Sequence, residues 1–297
     1  MNSNVIQKNN RLGGLFLIGQ IAVGFVLASL VKILQPDFSV FLILFFRYLF
    51  CLPLLIGYAI YTRGRQFLII QNITGLILRS GFGFMGLLTW FLAITKIDIS
   101  LATALNMTMP IFITGLSVWL AKEQVGLKRL ASVVLGFFGV LILLLPITPE
   151  INMWGAIFAL LGALFAALMF VYLRILGRSD PSATTAIWYN SAGVILAGLL
   201  TFITAGFDPL LNLNNTNFIY SFILLGVLAS FQQFFLAQSH LYAEASALAP
   251  LHYISIPFGV IIGILLFDEI ITLKFAIGTA VIIASTYYIF HREKVKQ

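Results

Sequence analysis

The chain has 297 residues, of which 61% are hydrophobic and only 9% charged. So few charges cannot cover a water-soluble globule of this length, which excludes a soluble domain and makes a bilayer the solvent. The net charge of +7 comes from Lys and Arg scattered through short loops, so orientation in a membrane explains it better than nucleic acid does, and the single cysteine, Cys51, rules out an intramolecular disulfide.

About 20 apolar residues at 1.5 Å rise cross the roughly 30 Å hydrocarbon layer, so runs of that length mark spans. Ten are predicted. In chain order the first five are Leu12 to Leu34, Val40 to Tyr61, Gly75 to Thr95, Leu101 to Ala121 and a short run from Leu130 to Leu145. The linker Pro146 to Asn152 follows, and then Met153 to Leu173, Thr184 to Thr204, Phe218 to Leu241, Ala247 to Phe267 and a second short run, Phe275 to Phe290. Polar turns such as Gln35-Pro36-Asp37 separate them, with one longer connection, Ala205 to Asn217, rich in Asn and holding Asp208-Pro209. Lys8 to Arg11 ahead of the first run has the charge of a signal peptide, but a run of 23 residues without a small-x-small cleavage site argues for a retained span.

The halves repeat each other. Asp98, Ser100, Asn106, Glu123 and Leu127-Lys128 recur 146 residues later as Glu244, Ser246, His252, Glu269 and Leu273-Lys274. Five spans per half is an odd number, so the second copy must insert upside down relative to the first, the arrangement of an alternating-access carrier. The expected organisation is all-α: a tail over 1–11, a first half over 12–146, a second half over 153–290 and a tail over 291–297. With the amino terminus in the cytoplasm, Lys8, Arg11, Arg63, Arg65, Lys122, Lys128, Arg129, Arg174, Arg178, Arg292, Lys294 and Lys296 lie inside. Only Lys32, Lys96 and Lys274 lie outside, and twelve against three places both termini in the cytoplasm.

Polar groups at membrane depth are costly unless they are paired or line a wet cavity. Arg47 lies roughly 12 Å below the outer boundary at helical rise, where an arginine costs about 2.5–3.5 kcal/mol on insertion scales. It either faces a substrate path or snorkels toward the interface. His252, beside Pro250 and ahead of Pro257, matches Asn106, ahead of Pro110. Proline removes a helix hydrogen bond, so both helices should kink or break where Asn106, His252 and Tyr253 could line a cavity. The bland reading is that Asn106 and His252 bond a neighbouring helix. Gln232 and Gln233 are adjacent, so they point about 100° apart and only one can face the centre.

Trp90, Trp188, Tyr189, Asn190 and Tyr253 could form an aromatic wall, although most membrane aromatics pack or anchor at the interface. Glu123 and Glu269 are expected to fix loops by capping the next helix. Gly259 and Gly263 permit a close helix approach. All ten Asp and Glu residues fall in loops or at run ends, which argues against a carboxylate proton relay. Coupling would use His252 or exchange of one metabolite for another. An integral membrane enzyme is disfavoured, since Gly-x-Ser-x-Gly, His-Glu-x-x-His and Asp-rich diphosphate motifs are all missing from the sequence. A channel or scaffold is the competing class that a repeat allows.

Phe46-Arg47-Tyr48, Leu78-Arg79-Ser80 and the Ser100 to Glu123 block with Pro110 resemble the EamA-type branch of the drug/metabolite transporter superfamily, over nearly the whole chain. A looser similarity, in Leu78-Arg79 followed by Trp90, Ala249-Pro250-Leu251-His252-Tyr253 and Phe267-Asp268-Glu269, is to S-adenosylmethionine uptake transporters of intracellular bacteria. The resemblance implies ten helices in two inverted halves around a central cavity.

The expected protein is thus a multi-pass inner-membrane carrier of a small polar or zwitterionic metabolite, S-adenosylmethionine or amino-acid-like, with uptake and export both open. Arg47 would attract a carboxylate; Asn106, His252 and one of Gln232 or Gln233 would bond polar groups; Trp90 and Tyr253 would stack on an apolar or ring portion. Its partners are that substrate and the lipid bilayer; a homodimer is allowed, and neither a metal nor a cofactor is called for.

Overall fold

The computed structural model describes residues 10–109, 111–112, isolated positions between 116 and 142, and residues 152–176, 179–206, 216–242 and 254–294. Their regular structure is helical: α1 (Asn10–Leu34), α2 (Val40–Arg63), a 3-10 turn (Gly64–Gln66), α3 (Ile73–Ile94), α4 (Ile99–Asn106), α5 (Met153–Leu176), α6 (Ser182–Ala205), α7 (Thr216–Tyr242), α8 (Ser255–Phe267) and α9 (Leu273–Lys294). Six of these helices are long and apolar enough to cross a membrane, and two shorter apolar helices, Ser255–Phe267 and Leu273–Ala284, accompany them. The chain is an all-α, multi-pass membrane protein. Most of the fifth predicted run, most of the end of the fourth and the start of the ninth lie outside the described residues, among them Pro110, Glu123, Pro250, His252 and Tyr253.

Local chemistry sets the helix ends. Ser39 starts α2 by accepting the Leu42 N–H at 3.3 Å, and the Asn72 side chain starts α3 by accepting the Gly75 N–H at 2.8 Å. Helices α2 and α6 are both 24 residues long and close in the same way: glycines with φ of 57° at Gly64 and 61° at Gly206, whose N–H groups return to the carbonyls of Ile60 and Phe202. A side chain would be strained at that φ.

The most extensive packing joins α3 to α5, α1 to α7 and α2 to α6. Each pair is antiparallel. Gly155 at the start of α5 meets Lys96 and Ile97 just past the end of α3, whereas Gly83 in the middle of α3 meets Met169 toward the end of α5. Phe16 stacks on Tyr242 while Gly19 meets Phe235, so α1 and α7 run opposite ways. Phe45 meets Gly198 and Arg63 bonds Thr184, so α2 and α6 do too. In lipid, where apolar burial does not drive helices together, close contact and interhelical hydrogen bonds hold such pairs. At Gly193 a β-carbon would sit 2.6 Å from the Tyr48 ring, so glycine there lets α2 and α6 touch.

The fourth predicted run does not continue as one helix. Its helix ends at Asn106, Met107 and Thr108 form a turn, and helical backbone resumes at Met109. The sequence supplies the cause: a proline at 110 has no N–H to donate to the Asn106 carbonyl. Pro257 differs from its expected role as a break in mid-helix. It occupies the third position of α8, within the first turn, where a missing N–H leaves no helix bond unmade.

Candidate functional site

In the first half of α2, Arg47 is buried, at 2% exposure. Its Nη2 reaches Gln232 Oε1 of α7 at 3.4 Å and its guanidinium lies 5.1 Å from the Tyr48 ring centre. Its Nε and Nη1 have no hydrogen-bond partner among the described residues. Tyr48, also buried, turns to α6, where its hydroxyl lies 3.0 Å from that of Tyr189 and the rings meet edge-on at 5.6 Å. Tyr189 donates to the Gly83 carbonyl of α3 at 3.3 Å. Each hydroxyl has one proton, so Tyr48 is the donor in the pair.

A second buried arginine completes the string. Arg79 of α3 lies 4.7 Å from the Tyr189 ring centre and donates to the Thr185 carbonyl at 3.3 Å, while its Nε has no partner among the described residues. Asn190, fully buried, donates to Ala186 at 2.8 Å, and its Oδ1 has no partner among the described residues. Gln232, Arg47, Tyr48, Tyr189 and Arg79 therefore link α7, α2, α6 and α3. Among the described residues no carboxylate bonds either guanidinium. A buried cation without an acid favours an anionic group on any ligand that reaches it.

Two members of this string, Arg79 and Tyr48, carried no site role in the sequence reading. The signal for Arg79 was present: a basic residue inside the third apolar run, open to the depth argument that selected Arg47.

The remaining candidates divide. Gln232 faces Arg47, whereas Gln233 lines a separate cavity of about 230 Å³ with Leu54, Tyr58, Ala186 and Phe231. Successive helical residues point about 100° apart, and here that angle separates the two amides. Trp90 is half-buried in the α3–α5 seam, and Asn106 is half-buried at the end of α4; no hydrogen bond or ring contact joins either to Arg47 among the described residues. Trp188 does not join an aromatic wall: it is 41% exposed, and its indole N–H donates to the Leu68 carbonyl at 3.0 Å. His252 and Tyr253 lie outside the described residues, as do Pro110 and Pro250.

Acids act at the ends of the bundle. Glu269 does cap a helix, but not the one that follows it. Its Oε1 accepts the Ile99 N–H at 2.6 Å and the Lys32 ammonium at 3.3 Å, and its Oε2 accepts the Ser100 N–H at 3.1 Å and hydroxyl at 2.5 Å. It thereby caps α4 in the first half of the chain. The backbone turns left-handed at Asp268 (φ 52°), which carries Glu269 back over α8 instead of on toward α9. Asp98, the residue ahead of α4, makes no side-chain cap. Burial and the nearby Glu269 charge push its carboxyl above the usual range, against the pull of Lys32. At the opposite end Asp180 accepts the N–H groups of Gln71 at 2.6 Å and Asn72 at 3.1 Å. Burial raises its pKa, and the bonds from the Ser179 hydroxyl and these two N–H groups outweigh that, holding the carboxyl below the usual range.

A bundle of long apolar helices with buried cations defines a multi-pass membrane protein, and comparison with known proteins gives the family. The model of the EamA-like transporter family matches this chain twice, over residues 13–145 and 153–291. The chain belongs to that family, and it is a transporter, not an enzyme. It is 25% identical to an S-adenosylmethionine uptake transporter of Rickettsia prowazekii over 267 residues, 89% of this chain and 87% of the relative. It is 28% identical to a riboflavin transporter of Vibrio cholerae over 240 residues, 78% and 76% of the two chains. A Helicobacter pylori protein named as a transporter is 28% identical over 209 residues, 68% of each. A solved crystal structure shares the fold with a TM-score of 0.58 at 17% identity, covering 90% of this chain and 95% of the other.

Proposed function

We propose that this protein is an alternating-access carrier of the bacterial inner membrane for a small polar or zwitterionic metabolite bearing a carboxylate. It has ten helices in two inverted halves, 12–146 and 153–290, with both termini in the cytoplasm. Supporting the inversion, α2 and α6 hold the same place in their halves, end in the same glycine cap and pack antiparallel. Exchanging the halves also turns the α1–α7 pair into the α5–α3 pair and leaves α2–α6 unchanged, as a twofold axis requires. The excess of Lys and Arg on one side supports the orientation.

The observation that carries the substrate class is Arg47, buried and bonded to an amide, with two guanidinium nitrogens unbonded and no acid beside it among the described residues. Arg47 receives the substrate carboxylate when the site opens, with Gln232 beside it. Asn106 and His252 bond polar groups, and Trp90 and Tyr253 stack on the ring or apolar portion. Gln233, which lines the cavity next to Tyr58, takes a secondary place. Pro110 and Pro250 mark where the two related helices break, whereas Pro257 lies in the first turn of α8. Coupling is by exchange or through His252. S-adenosylmethionine and amino acids are the first compounds to try, the former because relatives are named for it; riboflavin, for which another relative is named, has no carboxylate and is the contrasting compound.

The test is counterflow in proteoliposomes. A carrier gives saturable uptake that accelerates when substrate is present on the far side, whereas a channel gives single-channel conductance. Arg47→Ala that is expressed normally and transports like wild type removes Arg47 from the mechanism.

A further inference from the structure

At the end of the bundle that holds Lys32, one carboxylate joins elements far apart in the sequence. Glu269, whose side chain is 2% exposed, accepts four hydrogen bonds, two of them from the first N–H groups of α4, and Lys32 of α1 also lies over the Phe267 ring at 4.5 Å. Negative charge at a helix N-terminus and charge-assisted bonds make this a strong tie in a site shielded from water. It is also a conditional one, because every bond ends on the same carboxylate and all are lost together if that group moves.

What the tie holds is a short rod. Helix α4 has eight residues, with Glu269 at its N-terminus and the turn at Met107 and Thr108 at its C-terminus. It lies antiparallel to α8: Ser100 meets Glu269 at the tied end, Thr103 meets Gly259, and Met107 accepts a hydrogen bond from Ser255 where α8 begins. The facing surface of α8 is smooth. A β-carbon at Gly263 would collide with the Glu269 carboxylate, and one at Gly259 would lie 2.9 Å from the Thr103 hydroxyl. A tie at one end, a break at the other and a glycine seam toward α8 let the rod shift on that face without unlocking interdigitated side chains, while its other side packs on α5. Ser100 and Glu269 are both residues that the halves share at the 146-residue offset, so the tie is drawn from the repeat itself.

We infer that the Glu269 carboxylate, with Lys32 and the Ile99–Ser100 end of α4, is the outer gate: it releases α4 each time the central site opens outward and recaptures it when the site closes. The inference rests on the carrier reading above. It is tested on the full-length protein in proteoliposomes by two arms. In the first, Ser100→Cys is exposed to a membrane-impermeant thiol reagent added from the Lys32 side; the native Cys51 is buried and gives little background. The introduced thiol is expected to react slowly, and about tenfold faster when Glu269→Gln weakens the tie. A thiol at this position that stays unreactive in both backgrounds overturns the gate. In the second, the pair Ser100→Cys with Glu269→Cys is oxidised. Counterflow is expected to stop and to return on reduction; oxidised protein transporting at the reduced rate makes the contact a static pin. If no compound gives counterflow at all, the carrier reading fails and the labelling arm still decides whether this end opens.

Discussion

The centre of the bundle and its two ends solve the problem of buried charge in opposite ways. At the centre, Arg47 and Arg79 sit among tyrosines, amides and carbonyls, and among the described residues their guanidinium groups keep unbonded nitrogens. At the ends, Glu269 and Asp180 are bonded to backbone N–H groups of helices and loops distant in the sequence. The contrast separates two uses of charge. Acids at the ends stabilise the fold, because each supplies acceptors where chain ends leave donors bare. Cations at the centre strain it, and such strain is retained where a ligand uses it.

That comparison can be broken most directly at Arg47. Arg47→Met is expected to cut counterflow at least about tenfold while leaving thermal stability equal or higher, since replacing a poorly paired buried charge with an apolar side chain of similar size is neutral or stabilising by about 1–4 kcal/mol. A variant that loses stability and transport together makes Arg47 a structural residue. Glu269→Ala should act with the opposite sign. It leaves two helix N–H groups and a hydroxyl without their acceptor and is expected to lower stability by about 2–3 kcal/mol, read as a fall in melting temperature in detergent.

Asp180→Ala exposes a smaller version of the same loss, about 1–2 kcal/mol, by unpairing the Gln71 and Asn72 N–H groups. Its pH dependence has a definite sign. A carboxyl held below its ordinary pKa contributes stability above the unfolded value, near 3.9, and loses it as pH falls through the folded one. Wild type and Asp180→Ala should therefore converge in melting temperature on acidification below about pH 4. Asp98→Asn is the smallest effect and the one that raises stability. Its raised pKa means that its contribution is present below the unfolded value and lost as pH rises through the folded one, so at neutral pH the charged form is a cost. Removing that charge should stabilise by a few tenths of a kcal/mol, discounted because the site is partly exposed. A fall in melting temperature for Asp98→Asn at pH 7 would mean that its charge supports the α4 end after all.

Much of the fold was legible because spans depend on local composition. The run from Val40 to Tyr61 became α2, Val40–Arg63, and Met153 to Leu173 became α5, Met153–Leu176. The candidate site was legible only in part. Arg47 stood out by depth alone, but nothing in the chain says that Gln232 and not Gln233 turns toward it. Trp188 looked like a wall residue and instead anchors the Leu68 loop. Glu269 was expected to cap the helix after it, and instead it caps α4, 170 residues away in contact with Ile99.

The sequence by itself determined the solvent, the position of the long apolar spans and the exclusion of acids from their middles, because twenty apolar residues act within one segment. The tertiary structure alone decided which polar groups meet: Arg47 with Gln232, Tyr48 with Tyr189, Glu269 with α4. Those meetings depend on how each helix is rotated about its axis against a neighbour far away in the chain. A rotation of about 100° exchanges one residue for the next, and only packing between helices fixes it.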